Sequence, residues 1–237
     1  MKRTRSSLPS DPGYVQGSGV TPRRGLSTQA QHFLLQSPSP NILSIDAGFT
    51  KFGWAVFSNH EPIACGVIQN KAVDKKTVAV SNEYQTMASF LARALRGIYT
   101  EHNCQALVGE LPHGGGLSAR AVSHMNMSTA IVGAVTGLLD IPCEFCSPTD
   151  VKIATCGTTT ASKLEMMKRI IEMYNGYWDT KRVRCKASVK YPEGYREDYI
   201  WNFRGGRYGS GLFEHVADSC GAYLALADSN LIKLLGS

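Results

Sequence analysis

Four side chains in this chain of 237 residues have types and spacing suited to holding divalent cations. Asp46 closes the apolar run of "NILSID" and is followed by Ala-Gly and a second apolar run, "FGWAVF". Glu110 closes a second short run, "ALVGE". His215 and Asp218 lie three apart in a segment with helical spacing, so they share one face. A carboxylate at the end of a core strand is costly unless it is paired or binds a metal. Two such strand ends, faced by a helix carrying His and Asp, offer hard oxygens and one imidazole, the donors that hold Mg²⁺ or Mn²⁺. Two ions about 4 Å apart activate water and stabilise a leaving oxygen in phosphodiester hydrolysis, with Asp46 as the shared ligand. Each residue also has a plain structural reading. Asp46 can cap a turn, Glu110 can be a solvated strand end, His215 a satisfied core histidine, and Asp218 part of a surface face. The order strand-Asp, strand-Glu, helix-His-x-x-Asp favours the joint reading.

The elements that must position these residues follow from apolar spacing. Segments 42–46, 52–58 and 66–70 read as three antiparallel strands, with Gly48 and Gly53 bracketing the first turn. Helical spacing runs over 81–102, 117–138, 161–174 and 212–228. Short apolar strands fall at 106–109 and 142–146, and "PHGGG" reads as a loop. Ser147 and Pro148 open a further helix as cap and first residue. Three strands followed by alternating helices and strands give an α/β sheet covered by helices.

At 43% hydrophobic the chain can bury the core of one domain. It contains no run of 18 apolar residues, so no membrane-spanning segment is expected. The formal charge of +6 is unevenly spread. Residues 1–40 carry five basic residues and one acid; residues 176–210 carry eight basic and four acidic residues. The charge is thus concentrated in a tail and one internal segment, which favours an anionic partner. Residues 1–40 are rich in Ser, Pro, Gly and Gln and read as a disordered basic arm, with an organelle presequence as the other reading. Residues 41–237 form the domain. Seven scattered cysteines without a secretory signal suggest reduced thiols in an intracellular protein. Cys143 and Cys146 have CxxC spacing, but on a strand they point to opposite faces.

The stretch "ILSIDAGFTKFGWAVF" resembles the first hairpin of RuvC-type Holliday junction resolvases, within the RNase H-like superfamily. "ALVGE" resembles their second acidic strand, and "HVADSCGAYLALA" their closing helix. "TCGTTTASKLEMMKRII" resembles the preceding segment, with a lysine after a small-residue turn. The resemblance implies an RNase H-like α/β fold, a mixed five-stranded sheet flanked by helices. It also implies a homodimer and nicking of branched DNA, four-way junctions above all, dependent on two Mg²⁺ ions or on Mn²⁺. By position it makes Asp46, Glu110, His215 and Asp218 the catalytic ligands and sets Lys163 near the scissile phosphate. It makes the 117–138 helix much of the dimer interface, where Ala119, Ala121, Ser128, Ala130, Gly133 and Ala134 would permit close packing. His215 departs from the family's commoner aspartate.

The second departure is an insertion at 176–210, where eight aromatics interleave with eight basic residues. Aromatics stack on unpaired bases while Arg and Lys neutralise phosphates. Lys181, Arg182, Arg184, Lys186, Trp201, Arg204 and Arg207 are therefore candidate nucleic-acid contacts, together with Lys163. The bland alternative is a β-hairpin whose aromatics pack on the domain. Other functions fit less well. "DAGFTKFG" is like the first phosphate loop of the actin and sugar-kinase ATPases, but a second such lobe is missing. "GTTTASK" lacks the second Gly and the Ser/Thr of a P-loop, and "HGGG" has no Gly-x-Ser-x-Gly to serve. The remaining alternative to a nuclease is a non-enzymatic binder of branched nucleic acid, with the cluster degenerate through His215.

Overall fold

The computed structural model describes residues 39–70, 80–111, 118–189 and 191–236, with the side chains of 80 and 81 excepted. The arm read at 1–40, save its last two residues, and the "PHGGG" loop lie outside these. Strands β1 (Asn41–Asp46), β2 (Lys51–Ser58) and β3 (Glu61–Gln69) form an antiparallel meander. Helix α1 (Val80–Glu101) leads to β4 (Cys104–Glu110), which pairs parallel to β1. Helix α2 (Ala119–Leu138) leads to β5 (Cys143–Cys146), parallel to β4. The mixed five-stranded sheet therefore runs β3-β2-β1-β4-β5, the expected α/β class. Helices α3 (Pro148–Cys156) and α4 (Lys163–Met173) follow. The insertion is a second sheet, antiparallel, of β6 (Tyr177–Arg184), β7 (Tyr195–Phe203) and β8 (Gly206–Gly209). It runs straight into α5 (Ser210–Leu226), and α6 (Asn230–Leu235) follows.

The central strands are buried on both faces, which is why β1 and β4 read as continuous apolar runs rather than alternating ones. On one face Leu43, Ile45 and Leu107 pack against Met87, Leu91 and Leu95 of α1 and Val132 and Val135 of α2. On the other, Ile42, Ala106 and Val108 pack against Ile170 of α4 and Phe213, Val216 and Ala217 of α5. Strand alternation then decides where the acids point. Asp46 follows Ile42 and Ser44, and Glu110 follows Ala106 and Val108, so both carboxylates leave the sheet on the α5 face. Ser44 confirms this direction by donating to the Ser219 carbonyl of α5 at 2.6 Å.

Several elements differ from their sequence reading. β3 begins at Glu61, not at 66, because Asn59 and His60 make a two-residue turn with φ of 51° and 62°. Both residues are left-handed, as such a hairpin requires, and Pro62 is tolerated because β3 is an edge strand. The closing helix ends at Leu226, and α6 is a separate helix capped by Ser229. Helices α2 and α4 start two residues later than their spacing suggested, since Ser118 and Ser162 are caps outside them.

Gly53 fixes how closely α5 lies on the sheet. A Cβ there would stand 2.0 Å from the His215 carbonyl oxygen, an impossible approach to backbone. Gly53 is also the register partner of Asp46. Gly53→Ala is therefore expected to destabilise the fold by about 1–3 kcal/mol, the usual range for overpacking. Urea unfolding would measure this; a midpoint equal to that of the wild type would show that α5 shifts freely over β2.

Candidate active site

The parallel pairing of β1 and β4 places Asp46 directly beside Glu110. α5 crosses above them and contributes His215 and Asp218, one turn apart as their spacing required. The His215 Nδ1 atom lies 2.6 Å from Asp46 Oδ2. An ionised carboxylate only accepts, so with a neutral ring the proton sits on Nδ1 and Nε2 keeps its lone pair. Nε2 is 3.6 Å from Glu214 Oε1. Glu214 in turn holds Lys163, whose Nζ is 3.0 Å from Oε2.

One cleft of about 510 Å³ gathers Asp46, Glu110, His215, Asp218 and Lys163. It also gathers Lys152, which sequence reasoning missed. A single lysine on a short amphipathic helix carries no signature; it reaches the cleft because α3 packs tightly on α5. A Cβ at Gly221 of α5 would stand 2.6 Å from Val151 Cγ1 and 2.7 Å from Thr155 Oγ1. The first turns of α3 and α4 form the cleft wall with Pro148, Ser162 and Lys163. Both helices start with a capping box, Ser147 with Asp150 and Ser162 with Glu165.

The charges in the cleft strain against burial. Burial first, then the charges of Asp46 and Asp218, push the Glu110 carboxyl up to about 8, with Lys163 and Lys152 opposing. Burial and Asp46 push Asp218 up to about 7; Lys163 and His215 oppose this and Glu214 adds to it. Burial works against the charge of Lys163, but Glu214, Asp218 and Asp46 outweigh it and hold its pKa above the ordinary value. The cleft thus has an acidic floor and a two-lysine wall. Among the described residues, no group of three or more His, Cys, Asp or Glu side chains meets the geometry of a metal site. The donor chemistry nevertheless suits a hard divalent cation: three crowded oxygen ligands whose charges are mutually unfavourable, and one imidazole nitrogen.

The candidate nucleic-acid residues divide. Trp201 is a correction: it is 0% exposed, stacks on Phe213 at 5.1 Å and donates through Nε1 to Ser210 Oγ at 3.2 Å. The insertion's alternation turns it, with Phe203, into the core, where no base can reach it. Arg204 pairs with Glu61 at 2.7 Å, Lys181 with Asp198 at 3.6 Å, and Arg182 with Glu193. Arg184, Lys186 and Arg207 are exposed and form no ion pair among the described residues. On α2, Ser128 is buried rather than available for packing against a second copy. Ala130, Gly133 and Ala134 are exposed, as are Val122 at 41% and Leu138 at 83%. All seven cysteines are free thiols, and Cys143 is exposed while Cys146 is partly covered.

The fold belongs to a known type: the chain has a RuvC-like α/β architecture. It is similar to Thermus thermophilus RuvC, solved in complex with a Holliday junction substrate, with a TM-score of 0.52 and 13% identity over 79% of this chain and 93% of that one. It is also similar to the yeast mitochondrial Holliday junction resolvase Ydc2, with a TM-score of 0.50 and 13% identity over 89% of each chain. No family model matches the sequence, and no curated protein matches it. No helix among the described residues is long and apolar enough to cross a membrane.

Proposed function

We propose that this chain is a divalent-metal-dependent endonuclease that hydrolyses phosphodiester bonds in four-way junctions and other branched DNA, acting as a homodimer. The observation that carries this reading is the register of Asp46 and Glu110 on neighbouring parallel strands, facing His215 and Asp218 of α5 in one cleft. The similar RuvC structure contains a Holliday junction, which supports branched DNA as the substrate. Asp46, Glu110, Asp218 and the Nε2 atom of His215 would hold two Mg²⁺ or Mn²⁺ ions. When bound, these supply an activated water and stabilise the leaving oxygen.

The chain's own groups have separable tasks. Asp46 accepts from His215 Nδ1–H, which fixes the ring orientation and keeps Nε2 as the free acceptor. Lys163 and Lys152 neutralise phosphate charge on the wall opposite the carboxylates. The first turns of α3 and α4 add the positive ends of two helix dipoles at the same wall. The exposed α2 face carrying Val122, Ala130, Gly133, Ala134 and Leu138 would bury itself against a second copy, giving two clefts related by a two-fold axis.

The test is a synthetic four-way junction incubated with Mg²⁺ or Mn²⁺. Paired nicks at symmetric positions are expected, with none in chelator and far fewer on linear duplex. Absence of cleavage with either metal, alongside a gel shift of the junction, would favour the non-enzymatic binder. Analytical ultracentrifugation at micromolar concentration is expected to show a dimer; monomer alone, with and without junction, would overturn the two-fold arrangement.

A further inference from the structure

The acidic cleft raises a problem for any polyanionic substrate. Two lysines stand among four carboxylates there, those of Asp46, Glu110, Asp218 and Glu214, and Glu214 already holds Lys163, so without cations the site offers a polyanion little net attraction. Affinity must come from another surface. Resting on the nuclease reading, we propose that the β6–β7 ribbon is an arm that grips the phosphate backbone of a duplex segment flanking the cleft, through Arg184 and Lys186.

The ribbon has two unlike halves. Its root is core: Trp178 and Trp201 are register partners, as are Thr180 and Tyr199. Trp178 and Tyr199 pack on the buried cluster, with the Lys168 ammonium 5.6 Å from each ring centroid. Trp178, Tyr199, Trp201 and Phe203 are occupied there, while Tyr177 and Tyr195 stay exposed. Beyond this root the pairs Lys181–Asp198, Arg182–Glu197, Val183–Arg196 and Arg184–Tyr195 continue in register, projecting about 13 Å further at the usual strand rise. Cys185 N–H closes the ribbon by donating to the Gly194 carbonyl at 2.7 Å, with Gly194 at a φ of 70°. The projecting half is thus a built element.

Of the three acids in its projecting half, two are held by neighbours and Glu197 stays exposed. Asp198 pairs with Lys181 and Glu193 with Arg182, whose guanidinium also lies 4.5 Å from the Tyr195 ring centroid. Arg184 and Lys186 remain exposed and unpaired among the described residues, where their charge is free to displace counterions from phosphate. The root of the ribbon is joined to the helix that carries the chemistry. β8 ends at Gly209 and α5 begins at Ser210, and five residues of helix, about 7.5 Å, separate Ser210 from His215. Asp198 at the base of the projecting half accepts from Ser210 Oγ at 2.8 Å, which ties the ribbon to the start of α5. Phosphate contacts of this kind hold and orient a duplex without reading its sequence.

The test measures binding in chelator, across a salt series, to a four-way junction, a linear duplex and a single-stranded oligonucleotide. The double variant Arg184→Gln with Lys186→Gln is compared with Arg93→Gln with Arg96→Gln, an equal loss of exposed charge elsewhere. The first variant should lower the log–log salt slope by about 1.8 per protomer and weaken both junction and duplex binding at least about tenfold at 0.1 M salt. The second should leave both unchanged, and thermal unfolding should show both variants folded. Equal slopes for wild type and the first variant, or equal losses for the two variants, would overturn the arm while leaving the nuclease reading standing. A loss confined to the single strand would overturn the duplex assignment. Conversely, a slope that falls as stated in a protein with neither junction preference nor cleavage supports the arm and defeats the nuclease reading.

Discussion

Asp46→Asn is expected to lower junction cleavage by at least about 10³-fold while changing junction affinity in chelator by less than about twofold. The substitution is nearly isosteric, and the amide oxygen can still accept from His215 Nδ1–H, so the 2.6 Å contact that orients the ring survives. What disappears is one anionic oxygen at the point where β1, β4 and α5 converge. A bound cation contributes several kcal/mol of transition-state stabilisation, and about 4 kcal/mol corresponds to 10³ in rate. Binding rests on basic groups outside the carboxylate cluster, so it should persist. Single-turnover cleavage and a gel shift on the same preparation make the comparison. Cleavage at the wild-type rate would remove Asp46 from the machinery, and joint loss of cleavage and binding would show that the residue holds the cleft together rather than acting in it.

How much of this site could be read from sequence depends on what kind of signal each residue leaves. Asp46 and Glu110 were legible because an acid that ends a continuous apolar strand is energetically conspicuous, and the parallel register then set them side by side. His215 and Asp218 were legible as a pair because three-residue spacing fixes a shared helical face. Their common direction toward the acids followed only once α5 was known to cross at Gly53. Lys152 left no trace, since its place depends on the α3–α5 crossing at Gly221, a property of two helices distant in the chain. Glu214, next to His215 in the chain, pairs with Lys163, a partnership that no spacing announces. Composition misled at Trp201. Eight aromatics among eight basic residues read as a base-stacking surface, yet the alternation Tyr199, Trp201, Phe203 was already the pattern of a strand with one buried face. The five strands were legible from their apolar runs, and their union in one mixed sheet from the family resemblance. The short α6 was not, because six residues give too little periodicity, and the start of β3 was hidden by a hairpin turn built from Asn59 and His60 rather than from glycine.

The carboxylate cluster also has a cost that can be measured without any substrate. Asp218→Asn is expected to make the metal-free protein harder to unfold at pH 8, although it should be unable to cut DNA. An Asp or Glu in the unfolded chain ionises near pH 4, whereas burial and neighbouring charge hold Asp218 near 7 and Glu110 near 8 in the fold. Between those limits the native chain binds more protons than the unfolded one, so stability falls as pH rises. The loss begins near pH 4, is complete for Asp218 once the pH has passed about 7 and for Glu110 about 8, and proceeds for each group by at most about 1.4 kcal/mol per pH unit. An amide at position 218 has no charge to bury, and it removes one of the charges that raise Glu110. In chelator the variant should therefore melt above the wild type at pH 8, by about 2–4 °C for each kcal/mol recovered in a chain of this size. The two should converge below about pH 4, where the wild-type carboxyls are protonated in both states. Added Mg²⁺ or Mn²⁺ should raise the wild-type midpoint, because a ligand that binds only the native state stabilises it, and should raise that of the variant much less. A variant that melts below the wild type at pH 8 in chelator would mean that Asp218 is retained for hydrogen bonds that stabilise the fold, and the claim that its charge is held in reserve for a cation would fail with it.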